Sequence, residues 1–183
     1  MSAETKNTDS TNEVQLFAKV LTASDGVIAG TREDLSSVAL VETLKASGFE
    51  VTQQRVVSDG VDSVASALSE MTENFAGLIV TTGGTGFTKR DLTPEGTRKV
   101  IEREAPGLAE AMRLVNPLGR LSRGVAGIKG DSIILNTPGS TKGSDECINA
   151  VIDDVNHARR LLNDERIHSP NQKLNYSPIQ LSR

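Results

Sequence analysis

Short apolar runs alternate with amphipathic stretches along the chain, and the spacing within each predicts a series of strands and helices. Val14 to Leu21 reads as a strand that ends at the turn-forming Ser24-Asp25-Gly26. Leu35, Val38, Val41 and Leu44 then recur at helical spacing up to Gly48, which suits a helix C′ position because glycine tolerates positive φ. Thr31 with Asp34 three residues on offers an N-terminal capping arrangement for this helix. Glu50 to Val57 is rich in β-branched residues and predicts a second strand. Val61, Val64, Ala65, Leu68, Met71 and Phe75 follow a period of three and four, which predicts an amphipathic helix. Gly77 to Thr81 is almost wholly apolar, as expected of a central strand covered on both faces.

From Thr82 to Thr97 a polar, glycine-rich loop breaks the alternation, and Arg98–Arg103 and Gly107–Leu114 read as helical on either side of Pro106. Gly124–Ile128 and Ser132–Leu135 predict a strand pair turning at Lys129-Gly130-Asp131. Ser144 suits the cap of a last helix whose buried stripe is Ile148, Val151, Ile152, Val155 and Leu162, with Asp145 and Glu146 in its first turn. Strand-helix alternation of this kind predicts an α/β fold, a doubly wound and mostly parallel sheet with helices on both faces. Residues 1–12 read as a disordered polar leader, 13–163 as the folded domain, and 164–183 as a loosely attached tail.

Composition narrows the function classes. The 183 residues, 37% hydrophobic and 24% charged, fit one globular domain. A single cysteine, Cys147, rules out an internal disulfide framework or a cysteine-based zinc cluster and points to a reducing compartment. The leader has no apolar core and no segment reaches membrane-spanning length, so a cytoplasmic location is expected. A net charge of −4 with 3% aromatic residues and no Trp argues against a nucleic-acid surface, so any anion site must be local. His157 and His168 share no metal-ligand spacing.

The chemistry is concentrated in four segments. Thr81-Thr82-Gly83-Gly84-Thr85-Gly86 follows an apolar strand directly, at the strand end where open α/β sheets bind ligands. Glycines allow backbone N–H groups to converge on phosphate oxygens, and the threonines add hydroxyl donors. Neither the P-loop nor the dinucleotide fingerprint fits this run. It continues into Lys89-Arg90-Asp91, where Asp91 reads either as a surface ion-pair partner or as a carboxylate for a divalent cation that bridges phosphates, and then into Thr93-Pro94-Glu95, a helix start with Thr93 as cap. Asp59 ends the second strand and reads as a helix cap or as an acidic group on the same rim, which Ser24 and Asp25 share. Pro138-Gly139-Ser140 lies between a strand and a helix N-terminus, an anion-binding position. Arg113, Arg120 and Arg123 are candidate guides for an anionic substrate.

These segments together resemble the MoaB/Mog family of molybdenum-cofactor biosynthesis, which includes molybdopterin adenylyltransferases and the G domain of gephyrin. The resemblance runs from about Leu16 to Leu162 and rests on Ser24-Asp25-Gly26, Asp59, Thr82-Gly83-Gly84-Thr85-Gly86, Arg90-Asp91 with Thr93-Pro94, Leu121-Ser122-Arg123 and Pro138-Gly139. It implies a doubly wound domain, commonly trimeric, that transfers AMP from ATP to the terminal phosphate of molybdopterin with Mg²⁺, releasing pyrophosphate. The adenylylated product passes to a molybdate-insertion protein. The family's two functional aspartates fall on Asp59 and Asp91, with Asp91 at the metal. Ser58 and Gly60 flank Asp59 where the family commonly has proline and an acidic residue, and Thr141 stands where proline is usual. The alternative is a non-catalytic pterin- or nucleotide-binding scaffold of the same fold.

Overall fold

A computed structural model of the chain describes residues 15–163. The leader and tail expectations, and His168, lie outside those residues. Six strands form one sheet in the order β2-β1-β3-β6-β5-β4. Strands β1 (Leu16–Ala23), β2 (Phe49–Val57), β3 (Leu78–Thr82) and β6 (Ser132–Thr137) run parallel. Strand β5 (Ala126–Lys129) joins β6 as an antiparallel hairpin, and the two-residue β4 (Arg103–Glu104) adds to the edge antiparallel to β5. The sheet is therefore doubly wound and mostly parallel, as the pattern predicts.

Side-chain alternation divides the core into two layers. Val20, Val80 and Leu135 point to one face, where Leu40, Leu44, Met112, Ile148 and Val151 cover them from α2 (Leu35–Ala46), α5 (Pro106–Leu114) and α6 (Thr141–Asn163). Their strand neighbours Leu21, Ile79 and Ile134 point the other way, onto Val64, Ala67, Leu68 and Met71 of α3 (Val61–Thr72). Burial on both faces explains why β3 opens on Leu78-Ile79-Val80 and β6 carries Ile133-Ile134-Leu135 without a polar break.

Several local expectations are corrected. A four-residue helix, α1 (Asp25–Ile28), follows β1 and is capped by Ser24, whose hydroxyl accepts from the Val27 N–H. Asp34 itself, rather than Thr31, caps α2: its Oδ1 accepts the Ser37 N–H, while the Thr31 hydroxyl donates to Gly26 O. Thr82–Thr97 is not all loop, because α4 spans Thr93–Arg98, ahead of the expected Arg98–Arg103 helix. Leu92 rather than Thr93 holds the cap position of α4, with Pro94 in the first turn. Thr93 Oγ1 is instead buried and has no partner among the described residues. Helix α6 starts at Thr141, so Ser140 rather than Ser144 accepts an N–H there, from Gly143, and Ser144 is fully buried inside the helix. No helix among the described residues is long and apolar enough to cross a membrane.

Candidate active site

The carboxyl ends of the parallel strands share one rim. Strand β1 pairs with β2 on one side and β3 on the other, so the chain leaves β1 and β3 in opposite directions and opens a crevice between them, the position where doubly wound sheets take ligands. A cleft of about 1180 Å³ occupies it. Of the residues singled out in the sequence, Ser24, Asp59, Thr82, Gly83, Gly84, Thr85, Gly86, Asp91, Pro138, Gly139 and Ser140 all line this cleft, whereas Asp25 and Arg90 do not border it.

The strand ends are pressed together closely enough to exclude side chains. Gly83 has φ 93°, and a Cβ there would lie 2.4 Å from Ala23 O. Gly84 has φ 63°, and its Cβ would lie 2.3 Å from Thr93 Oγ1 and 3.3 Å from Asp59 Oδ1. Both positions demand glycine on conformation and on space. Gly139 approaches from β6, where a Cβ would meet Gly83 Cα at 3.2 Å. The N–H of Gly83 donates to Thr137 O at 3.2 Å, while those of Gly84, Thr85 and Gly86 have no acceptor among the described residues. Three such donors at the wall of a cleft make up the kind of cradle that can receive an anion.

Two of the three threonine hydroxyls, those of Thr81 and Thr82, are engaged within the sheet rather than in that cradle. Thr82 Oγ1 donates to Pro138 O at 3.0 Å, tying the end of β3 to that of β6. Thr81 Oγ1 accepts from Asn136 Nδ2 at 3.0 Å, and the same amide donates to Thr97 Oγ1 at 2.9 Å. Asn136 Oδ1 accepts the Val125 N–H, so one buried amide joins β3, β6, α4 and the entry to β5.

Two arginine-carboxylate pairs hold the two aspartates. Asp59 Oδ2 accepts the Asp25 N–H at 2.8 Å, and Asp25 Oδ1 accepts the Asp59 N–H at 3.0 Å. Arg90 grips Asp25 with Nε at 2.9 Å and Nη2 at 3.1 Å, and Nη2 also donates to Asp59 O. The Arg90 hydrogen bonds hold the Asp25 carboxyl below the usual carboxylate range and raise Arg90 in return. Arg90 thus pairs with Asp25, not with its sequence neighbour Asp91. Neither the cap reading of Asp59 nor the ion-pair reading of Asp91 holds. Gly60 occupies the α3 cap with no side-chain bond, and Asp91 Oδ2 accepts the Thr88 N–H at 2.7 Å. Each aspartate keeps its other carboxylate oxygen without a donor among the described residues.

Arg123 forms the second pair. Its Nε donates to Gly86 O at 2.8 Å, its Nη2 to Asp91 O, and its Nη1 to Glu95 Oε1. The Arg123 bond depresses the Glu95 carboxyl. Arg123 is absent from the cleft wall, Arg113 lines it while donating to Gly124 O, and Arg120 lies in a separate shallow depression.

Residues 19–157 match a family described as the probable molybdopterin binding domain. The chain belongs to this family. It is 40% identical over 139 residues to the molybdopterin adenylyltransferase of Helicobacter pylori, spanning 72% of this chain and 79% of that protein. Against the molybdopterin adenylyltransferase of Escherichia coli the identity is 34% over 142 residues, 73% of this chain and 72% of the relative. Gephyrin of Dictyostelium discoideum is 33% identical over 165 residues, 82% of this chain and 23% of gephyrin. Among solved structures, the molybdopterin biosynthesis enzyme MoaB of Thermus thermophilus superposes with a TM-score of 0.76 at 42% identity, covering 81% of this chain and 96% of that one.

Within this family fold, the departure at Gly60, next to Asp59, has a local explanation. Gly60 takes φ 148°, a conformation that favours glycine, and the Ser63 hydroxyl closes the turn onto Ser58 O at 2.7 Å and Gly60 O at 3.1 Å. Sequence reasoning missed Asn136, Glu95 and the clamping role of Arg123. Arg123 belongs to the Leu121-Ser122-Arg123 segment that carries the family resemblance, which was the available signal. Cys147 also borders the cleft, but it is buried beside Met112 O, and burial pushes its thiol up to about 11.

Proposed function

We propose that the chain is a molybdopterin adenylyltransferase that transfers AMP from ATP to molybdopterin during molybdenum-cofactor biosynthesis. The observation that carries this is the cleft itself, where the free N–H groups of Gly84, Thr85 and Gly86 lie between Asp59 and Asp91. A terminal phosphate oxygen of molybdopterin attacks the α-phosphorus of ATP, the bond from that phosphorus to the bridging oxygen breaks, and pyrophosphate leaves. Both reactants bring their own nucleophile and leaving group. The protein therefore contributes alignment of two anions and stabilisation of charge at the α-phosphate. Backbone donors of the glycine loop suit the phosphates, and the start of α6 at Ser140-Thr141 offers a second set of N–H groups across the cleft.

Mg²⁺ fits the donor set. Asp59 and Asp91 each have one carboxylate oxygen without a protein donor, and no group of three or more ligating side chains is present among the described residues. Mg²⁺ is held by one or two carboxylates together with substrate phosphates and water, so this sparse set is appropriate. Bound there, Mg²⁺ would offset phosphate charge. Asp91 holds the metal-side position and Asp59 the opposite wall. Arg90, which does not border the cleft, acts by fixing Asp25 and the Asp59 carbonyl. The exposed Leu114 and Leu118 support assembly, which we assign to a homotrimer acting in the cytoplasm and passing its product to a molybdate-insertion protein.

Incubation of the purified chain with molybdopterin, ATP and Mg²⁺ tests the reading. Adenylylated molybdopterin and pyrophosphate should form in equal amounts. Binding of both ligands without either product would support the scaffold alternative.

A further inference from the structure

We propose that Arg123, paired with Glu95, is a positioning residue that sets the glycine loop and Asp91 against the cleft. The segment from Thr85 to Asp91 leaves β3, projects outward and returns at α4 with little apolar material to pack. Phe87 within it is 67% exposed. What anchors the segment comes from a distant part of the chain. The Arg123 backbone N–H donates to Thr85 O at 2.8 Å, its Nε to Gly86 O at 2.8 Å, and its Nη2 to Asp91 O. One residue thus ties the beginning and the end of the excursion to a single point, while Nη1 locks the fork to Glu95 on α4.

The consequence for Asp91 is geometric. Its backbone carbonyl is held by Arg123 and its Oδ2 by the Thr88 N–H, so its remaining oxygen is presented in one orientation. Gly86 packs so closely that a Cβ there would lie 3.0 Å from Asp91 Oδ2, and any slip of the loop at Gly86 moves the carboxylate. A lysine cannot replace the planar fork, because its single ammonium cannot reach Gly86, Asp91 and Glu95 together. Arg123 does not border the cleft, so it acts through Asp91 and the loop rather than on a ligand.

The kinetic part of the test rests on the adenylyl-transfer reading; amide exchange does not. Arg123→Lys and Glu95→Gln are each made alone and combined with Asp91→Asn. Amide hydrogen exchange at Thr88 and Asp91, the bonded N–H groups of the segment, should quicken about tenfold in Arg123→Lys, with α2 and α3 unchanged. The Mg²⁺ concentration for half-maximal rate should rise several-fold and kcat fall by up to about a hundredfold, as misplacement of a reacting group by roughly an ångström allows. KM for molybdopterin should stay within threefold. In the Asp91→Asn background Arg123→Lys should lower the rate by less than twofold more, because both substitutions remove the same function. Unchanged loop exchange, or full additivity of the two substitutions, would overturn the assignment. If Arg123→Lys fails to fold, Glu95→Gln decides through the same readouts, with smaller shifts in the same direction. A wild-type chain that makes no product would defeat the adenylyl-transfer reading alone, and loop exchange would still decide the role of Arg123.

Discussion

Asp25 and Asp59 hold each other by reciprocal bonds, the carboxylate of each accepting the backbone N–H of the other at 3.0 and 2.8 Å. The ends of β1 and β2 are thereby locked in register at the mouth of the cleft, and the Asp59 side chain is fixed before any ligand arrives. Asp25→Ala removes the acceptor for the Asp59 N–H and the partner of Arg90 together. It should lower kcat by at least about tenfold through misplacement of Asp59. Asp25→Asn, which retains one acceptor oxygen, should lose less. Steady-state kinetics of the two variants check this order.

Glycine is required at the cradle and dispensable at the hairpin. Gly84→Ala places a Cβ 2.3 Å from Thr93 Oγ1 at φ 63°, so both a clash and a backbone penalty apply. Gly130→Ala, at φ 53° with open space around it, carries the backbone penalty alone. Denaturant melts should show a loss of about 1 kcal/mol for Gly130→Ala and clearly more for Gly84→Ala. Only Gly84→Ala should also abolish ATP binding.

Removing the buried Asn136 amide should be severe for stability. Asn136→Ala strands the Val125 N–H and removes the donor to Thr81 and Thr97, all of them buried. A loss of about 3 kcal/mol is expected from the unsatisfied groups and the cavity, read from urea unfolding.

The Glu95-Arg123 pair also carries a pH signature. The Glu95 carboxyl is depressed in the folded chain, first by its Arg123 hydrogen bond. A depressed acid stabilises the fold above its unfolded pKa, about 4.3 for glutamate, and loses that contribution as pH falls through the lower folded value. The stability difference between wild type and Glu95→Gln should thus be constant above about pH 5 and shrink below about pH 4. Thermal melts of both proteins across that range would reveal it.

Much of the fold was legible because burial imposes its period on strands and long helices. Strands β1, β2, β3 and β6 and helices α2, α3 and α6 all carry that imprint. Helix α4 does not, since it buries Thr93, Pro94, Gly96 and Thr97 rather than an apolar stripe; the Thr93-Pro94 signal marked its start, but its extent, expected over Arg98–Arg103, was not legible. Strand β4, the exposed Arg103–Glu104, exists only through its pairing with β5. The glycine cradle was legible because its demand is local, a backbone that must turn and approach closely. The arginine clamps were not. Arg90 passes over its neighbour Asp91 to reach Asp25, 65 residues away, and Arg123 reaches Glu95 across 28. Partner choice at that separation depends on the folded rim, and only the Leu121-Ser122-Arg123 resemblance marked one of the residues in advance.

The most direct test of adenylyl transfer at this rim is a comparison of wild type with Asp91→Asn for adenylylated molybdopterin formed from ATP, molybdopterin and Mg²⁺, with ATP binding measured on both. Loss of a charged group that acts on the developing phosphate charge should slow product formation by about a hundredfold or more, while the glycine cradle keeps ATP affinity within a few-fold. Equal rates of product formation in the two proteins, or no product from either, would contradict the account.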